Sequence, residues 1–200
     1  MSAKKSVQES QQRRAHPWHG VNPRLDDQRF LAFIETTPFD LMKYELDMKL
    51  GLMRIDQPLE TSSLPPSAYG FIPRTLCDPR VAQLSSRLKG DRAPLDVFVL
   101  SERSIQHHNV LCEMRVVGGV PLRDENLVDD KLIAVLARDA NFGHVQSIAE
   151  VPIYLIERIT HFLSQVSLAG APIVGDPFDR ARAENLLQAG LEDYAQVYDV

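Results

Sequence analysis

A chain of 200 residues with 44% hydrophobic and 24% charged side chains has the composition of an ordinary globular protein with one sizeable core. Its net charge of -5 and its pI near 5.7 argue against a protein whose main partner is nucleic acid, because such a protein needs a basic stripe to neutralise phosphates. No apolar stretch follows the basic residues near the N-terminus and no later segment approaches a membrane span, so we expect a cytoplasmic protein without a membrane partner.

Strand-like alternation occupies most of the chain after a polar start. Residues 1–15 are predicted to form a tail and residues 16–200 the folded domain. The predicted strands, in chain order, are RFLAFIETT, the two arms of LMKYELDMKLGLMRIDQ around a turn at residues 49–51, AYGFIPRTL, PLDVFVL, VLCEMRVVGGV and DKLIAVLA. The connection over residues 77–89 lacks a clear period, which indicates a surface loop or a lid.

Two helices are predicted after the strands. The first spans residues 150–167, with Pro152 in its first turn and one apolar face made by Val151, Leu155, Ile159, Phe162 and Leu163. The second spans residues 177–198, with Asp176 as its N-cap and Leu186, Leu187 and Leu191 facing inward. Short strands followed by helices predict an α+β fold with a small barrel as its core.

Acidic residues cluster at the predicted strand ends. Asp91 and Asp96 flank the entry to one strand, and Asp124 and Asp129, again five apart, lie on the next connection. Either pair alone is typical of a solvated turn. Together with carboxylates and lysines at neighbouring strand edges, and without histidine or cysteine ligands, they favour a hard-cation site for Mg²⁺ or Mn²⁺ that binds phosphate. These neighbours are Glu35, Lys43, Glu45 and Lys131.

The chain resembles the soluble family I inorganic pyrophosphatases from about His16 to its C-terminus. The segments that carry the resemblance are HPWHG, IETTPFDLMKYELD, YGFIPRTL, PLDVFVL as the end of the acidic signature D-G-D-P-x-D-V, and RDENLVDDKLIAV. In the last segment, aspartate, aspartate and lysine fall at positions one, six and eight of the family's second acidic motif. The resemblance implies an OB-like five-stranded barrel flanked by C-terminal helices, and the hydrolysis of pyrophosphate by Mg²⁺-activated water.

The resemblance also implies a role for each matched residue. Asp91, Asp96, Asp124 and Asp129 match metal ligands. Glu35, Glu45 and Asp91 match the catalytic carboxylates. Lys43, Tyr69 and Lys131 match contacts to phosphate.

Five matched site residues depart from the family, and so does the glycine that precedes one of them. The aspartate that orients and deprotonates the attacking water falls at Ala93, and the glycine before it falls at Arg92. The family residues that hold one of the two phosphates, an arginine, a tyrosine and a tyrosine-lysine pair, fall at Gln57, Pro65, Val166 and Ser167. Arg54, Arg74 and Arg92 are candidates to replace the missing cations.

Two hypotheses of different classes follow from these departures. In the first, the protein is a Mg²⁺-dependent phosphohydrolase that is slow on pyrophosphate or adapted to another phosphate compound. In the second, it is a non-catalytic relative that binds metal and phosphate or acts as an assembly partner. Oligonucleotide binding by the barrel would need a basic groove with stacking aromatics, which the sequence lacks.

Assembly into a homo-oligomer is expected, with a hexamer favoured. Family members are dimers, trimers or hexamers. Apolar positions in the two predicted helices are expected to cover a neighbouring subunit as well as the barrel; they are Ile153, Ile156, Leu186 and Leu187.

Overall fold

A computed structural model describes residues 15–59, 64–85, 88–124, 126–165 and 172–198. All but the last residue of the predicted N-terminal tail lie outside the described residues. Twelve strands form within this part of the chain: β1 (Phe30–Thr36), β2 (Met42–Asp47), β3 (Leu52–Pro58), β4 (Ala68–Phe71), β5 (Lys89–Gly90), β6 (Asp96–Leu100), β7 (Val110–Val120), β8 (Leu122–Asp124), β9 (Leu127–Val128), β10 (Lys131–Leu136), β11 (Ile173–Val174) and β12 (Phe178–Asp179).

Five of these strands close into a barrel. The order is β1-β4-β6-β10-β7, and β7 pairs back onto β1 to complete the circle. Only the β6–β10 pair among these five is parallel. Alternate side chains of all five strands, such as Ala32, Val97 and Leu132, belong to one buried cluster that fills the barrel. The predicted α+β fold with a barrel core is confirmed. Alternation along the strands places one row of apolar side chains inside the barrel.

A separate two-stranded sheet, β2 with β3, lies against the barrel and is the predicted hairpin. Its turn contains Gly51, whose φ of 67° lies in the left-handed region that favours glycine. The Asp47 carboxylate accepts hydrogen bonds from the N–H groups of Lys49 and Leu50 at 2.9 and 2.8 Å. The turn therefore fixes the register of the two strands, which carry several polar side chains that face the site described below.

Three helices form in the described part of the chain: α1 (Pro79–Leu84), α2 (Ile153–Gln165) and α3 (Arg180–Tyr198), with a short 3-10 helix at Ile148–Glu150. Helix α2 covers the outer face of β6 and β10, where Phe162 packs near Phe98. Leu186 and Leu187 of α3 belong to the cluster that fills the barrel. No helix in the described ranges is long and apolar enough to cross a membrane.

Both predicted helix starts are wrong. Helix α2 begins at Ile153, directly after Pro152. Helix α3 begins at Arg180 rather than at residue 177, because Phe178 and Asp179 pair with β7 as a short strand. The capping residue is Asp179, not Asp176, since the Asp179 carboxylate accepts a hydrogen bond from the Arg182 N–H at 2.9 Å.

The structure also corrects the prediction that four apolar side chains of the two helices help to cover a neighbouring subunit. Ile156, Leu186 and Leu187 are buried within the subunit, whereas Ile153 is 68% exposed. Three of the four side chains expected to help cover a neighbour are therefore occupied by the chain's own core.

Candidate active site

A cleft of about 620 Å³ lies between the hairpin, the barrel strands and the C-terminal half of α2. Eight of the nine predicted site residues line it: Glu35, Lys43, Glu45, Tyr69, Asp91, Asp96, Asp129 and Lys131. The ninth, Asp124, is the last residue of β8, and the structure describes only its place in that strand. No described residue of the 77–89 connection is among the lining residues, and α1 of that connection packs against α3. Residues distant in sequence are thus brought together by the closure of the barrel.

The centre of the cleft is a buried ammonium group between two carboxylates. Lys131 Nζ donates to Asp129 Oδ1 at 2.5 Å and also donates to Asp96 Oδ2. The hydroxyl of Tyr69 donates to the same Asp96 oxygen at 2.6 Å. Burial lowers the pKa of Lys131, but the charges of Asp129 and Asp96 outweigh it and hold this pKa well above its usual range. Lys131 is therefore a permanent positive charge at this point.

The acidic loop before β6 is held by backbone hydrogen bonds. The Ala93 N–H donates to Asp91 Oδ1 at 2.9 Å, and the Ala93 carbonyl accepts from the Cys77 N–H at 2.8 Å. Arg92 has a φ of 65°, the left-handed conformation that suits the family's glycine, and its guanidinium lies 3.2 Å from Asp78. The loop thus presents Asp91 and the methyl group of Ala93 to the cleft.

Glu35 is buried at the cleft, with 6% of its surface exposed. Its Oε1 accepts a hydrogen bond from the Leu46 N–H at 2.7 Å, which ties the hairpin to the barrel. Burial, with the nearby charge of Asp96 as a smaller cause, raises the pKa of Glu35 to about 8. Glu35 can therefore carry or release a proton near neutral pH.

Acidic side chains outnumber basic side chains among the described residues that line the cleft. Burial raises the pKa of both Asp129 and Asp91, and the neighbouring carboxylate of Asp96 raises both further, against the opposing effect of Lys131. Within the described ranges, no three acidic, histidine or cysteine side chains converge as a ready-made metal site. The available donors are nevertheless all carboxylate oxygens, which is the ligand type that Mg²⁺ prefers. A divalent cation fits both this donor set and its excess of negative charge.

The hairpin contributes a second ionic group. Lys43 Nζ lies 2.7 Å from Asp56 and 3.8 Å from Glu45, and Glu45 also pairs with Arg54. Asp56 lines the cleft but was missed by the sequence analysis. The pairing of β2 with β3 shifts between Lys43 and Tyr44, so that Asp56 falls in an irregular step of the ladder. Simple alternation carries no signal for such a bulge.

Three of the departures from the family pattern lie at the same cleft. Ala93, Gln57 and Pro65 line it, while Val166 and Ser167 lie outside the described residues. The expectation that nearby arginines replace the missing cations is wrong for the described cleft wall. Arg54 pairs with Glu45, Arg92 pairs with Asp78, and Arg74 lies over the Tyr194 ring. None of the three lines the cleft.

Comparison with known proteins supports the resemblance along most of the chain. The sequence profile of the family described as inorganic pyrophosphatase matches residues 32–195. An inorganic pyrophosphatase of Chlamydia trachomatis is 34% identical over 92% of this chain and 96% of its own length. A soluble inorganic pyrophosphatase of Zea mays is 33% identical over 91% of this chain and 80% of its own.

Solved structures agree with the sequence comparisons. The crystal structure of the inorganic pyrophosphatase from Thermus thermophilus superposes with a TM-score of 0.77 and 30% identity, over 90% of this chain and 99% of that one. The enzyme from Helicobacter pylori superposes with a TM-score of 0.73 and 26% identity, over 87% and 98% of the two chains. With the barrel closed and eight matched residues in one cleft, these likenesses lead to one conclusion: the chain belongs to the inorganic pyrophosphatase family.

Proposed function

We propose that the protein hydrolyses inorganic pyrophosphate to two phosphates in a Mg²⁺-dependent reaction, at a reduced rate. The observation that carries this proposal is the convergence of Asp91, Asp96 and Asp129 with Lys131 in one cleft of a chain whose relatives are named inorganic pyrophosphatases. Three carboxylates of like charge at one place have no evident stabilising role in the fold, which favours a retained ligand site.

The metal would be held by Asp91, Asp96, Asp124 and Asp129, with Mn²⁺ as an alternative to Mg²⁺. When bound, such a cation acidifies a water molecule and neutralises charge on the phosphate oxygens. The protein side chains then have positional and electrostatic roles. Lys43, Tyr69 and Lys131 are proposed to bind the phosphate groups, which would compete with the carboxylates that pair with Lys43 and Lys131.

The catalytic carboxylates are proposed to be Asp91, Glu35 and Glu45. The water oxygen forms a bond to one phosphorus atom while the bridging P–O bond breaks, so no covalent intermediate with the protein is needed. Glu35, with its pKa near 8, is suited to hold the proton that this exchange moves. The reduced rate is attributed to Ala93, which lines the cleft where the family's water-activating aspartate stands.

Two features of the cleft favour the alternative that the protein is a non-catalytic relative. Ala93 offers no base, and Lys43 is occupied by Asp56 at 2.7 Å. In that case the cleft would bind a cation and phosphate without turnover.

Phosphate release from pyrophosphate separates the two proposals. We expect the wild type to release phosphate slowly and only in the presence of Mg²⁺. The rate in Asp96→Asn should be at least about tenfold lower, because a charge-assisted contact is worth roughly 1.5–3 kcal/mol. Asp27→Asn is the matched control, since Asp27 is exposed and does not line the cleft. Release that is absent with Mg²⁺ would support the non-catalytic alternative, and release unaffected by Asp96→Asn would refute the assigned site.

We further propose that the protein is a cytoplasmic homo-oligomer, with a hexamer favoured. Exposed apolar side chains on the hairpin support an interface between subunits. They are Leu50, Leu52 and Ile55, which are between 55% and 69% exposed. Light scattering is expected to give a multiple of the 22.5 kDa subunit mass, and a single subunit mass at micromolar concentration would contradict this.

A further inference from the structure

Cys77 is a buried residue that is hydrogen-bonded to the acidic loop before β6 and does not itself line the cleft. Its N–H donates to the Ala93 carbonyl at 2.8 Å, and its carbonyl accepts from the Arg92 N–H at 3.0 Å. Gly90 passes so close to this residue that a Cβ atom at position 90 would lie 2.2 Å from the Cys77 carbonyl oxygen. The backbone of Cys77 is therefore fixed against the residues on both sides of Asp91.

The side chain of Cys77 contacts the second acidic segment. The thiol donates to the Val128 carbonyl at 3.4 Å, and Val128 directly precedes Asp129. The short strand β5 runs parallel to β9, and this pairing places Gly90 opposite Val128. Cys77 thus lies where the chain that leads into Asp91 meets the chain that leads into Asp129.

Helix α3 holds the neighbours of Cys77 in place. The Leu76 N–H donates to the Gly190 carbonyl at 2.9 Å. On the other side of Cys77, the Asp193 carboxylate accepts from the Arg80 N–H at 3.1 Å, at the start of α1. Asp193 is only 1% exposed, so this contact belongs to the core of the protein. The position of Cys77 is therefore set by the core and not by the acidic segments alone.

The carboxylates at the cleft repel one another. Burial is the main cause that raises the pKa of Asp129, and the charges of Asp96 and Asp91 raise it further, against the opposing effect of Lys131. Carboxylates that are to bind a cation have to be held close together in spite of this repulsion. Contacts behind the ligands increase the affinity for a metal, because the fold and not the cation then keeps the charges together.

We propose that Cys77 is a positioning residue for the divalent-cation site. It fixes the distance between the segments that carry Asp91 and Asp129, and so increases the affinity for the cation without touching the cation or the phosphate. A thiol suits this place because it is small, packs well in apolar surroundings and can still donate to the Val128 carbonyl. This inference rests on the proposed function, since it requires that Asp91 and Asp129 bind the cation.

Calorimetric titration with Mn²⁺ tests the inference on the wild type, Cys77→Ala and Cys112→Ala. We expect Cys77→Ala to bind Mn²⁺ at least about threefold more weakly, because it loses the hydrogen bond to Val128 that joins the two acidic segments. Cys112→Ala is the matched control. The side chain of Cys112 packs against the same buried cluster as that of Cys77, but it lies on β7 and does not line the cleft. Cys112→Ala should bind Mn²⁺ as the wild type does.

Two further variants separate positioning from packing. Cys77→Ser restores a donor for the Val128 carbonyl, so it should bind Mn²⁺ more tightly than Cys77→Ala. Cys77→Val keeps an apolar side chain but has no donor, and it provides the same test if Cys77→Ala fails to fold. It too is expected to bind Mn²⁺ at least about threefold more weakly than the wild type.

A purely structural role for Cys77 would lower the free energy of unfolding and leave the Mn²⁺ affinity of the folded protein unchanged. Unchanged affinity in Cys77→Ala and Cys77→Val, or an equal loss of affinity in Cys112→Ala, would overturn the inference alone. Absence of Mn²⁺ binding by the wild type would overturn the proposed metal site together with it.

Discussion

Replacing Ala93 by aspartate together with Arg92 by glycine is expected to raise the rate of pyrophosphate hydrolysis at least about tenfold, because a positioned general base contributes on the order of 10² to 10⁴ in rate. The backbone at residue 93 is already fixed by hydrogen bonds to Asp91 and Cys77. An aspartate there would extend its carboxylate into the cleft that Ala93 lines. Glycine at position 92 suits the φ of 65° and removes an exposed ion pair that contributes little. Steady-state phosphate release at saturating Mg²⁺ is the measurement.

The single variant Arg92→Gly is the control for this prediction. Its rate should stay close to that of the wild type, because the guanidinium of Arg92 pairs with Asp78 and does not line the cleft. An unchanged rate in the double variant, with divalent binding intact, would mean that another carboxylate such as Glu35 already serves as the base.

Replacing Lys131 by methionine is expected to destabilise the fold by about 3 kcal/mol in the absence of divalent cations, because it leaves buried carboxylates without their ammonium partner. Lys131 has 6% of its side chain exposed, and its partners Asp96 and Asp129 have 21% and 24%. Without the ammonium, the pKa of Asp129 in the folded state, which burial already raises, rises further above its unfolded value. The protonated forms then fold at little electrostatic penalty, so the loss of stability should be large at about pH 8 and small below about pH 4.

Urea denaturation of the Lys131→Met variant and of the wild type at both pH values measures this difference. Added Mg²⁺ should restore part of the loss at the higher pH, since a cation that binds the folded state stabilises it. Lys89→Met, at an exposed position, is the matched control. A loss of stability that is equal at both pH values would show that packing of the Lys131 stem, and not its charge, holds the acidic cluster together.

The barrel was predictable from the sequence because its strands obey local rules. Ala32 and Ile34 point inward on alternate positions of β1, and Gly51 marks the hairpin turn. The start of α3 was not predictable in the same way. Phe178 leaves the helix to pair with Gly119 of β7, a contact between residues far apart in sequence that overrides the helical pattern around it.

The candidate site was predictable as a set of residues but not as an arrangement. The spacing of Asp91, Asp96 and Asp129 indicated an acidic cluster, and the barrel does bring these residues into one cleft. That Lys131 lies between two of the carboxylates depends on the parallel pairing of β6 with β10, which local sequence does not specify. Asp56 was missed because it lies at an irregularity in the hairpin ladder.

Diffraction from crystals grown with Mn²⁺ and methylenediphosphonate tests most directly the central claim, that this cleft binds a divalent cation together with phosphate. We expect an anomalous difference peak beside the carboxylates of Asp91, Asp96 and Asp129, with a phosphonate group near Lys131 and Tyr69. At least one of the ion pairs of Lys131 should be broken in that complex. Two results from a crystal saturated with Mn²⁺ would contradict this claim. One is the absence of a peak at these carboxylates, and the other is a cation bound elsewhere with Lys131 still paired with both Asp96 and Asp129.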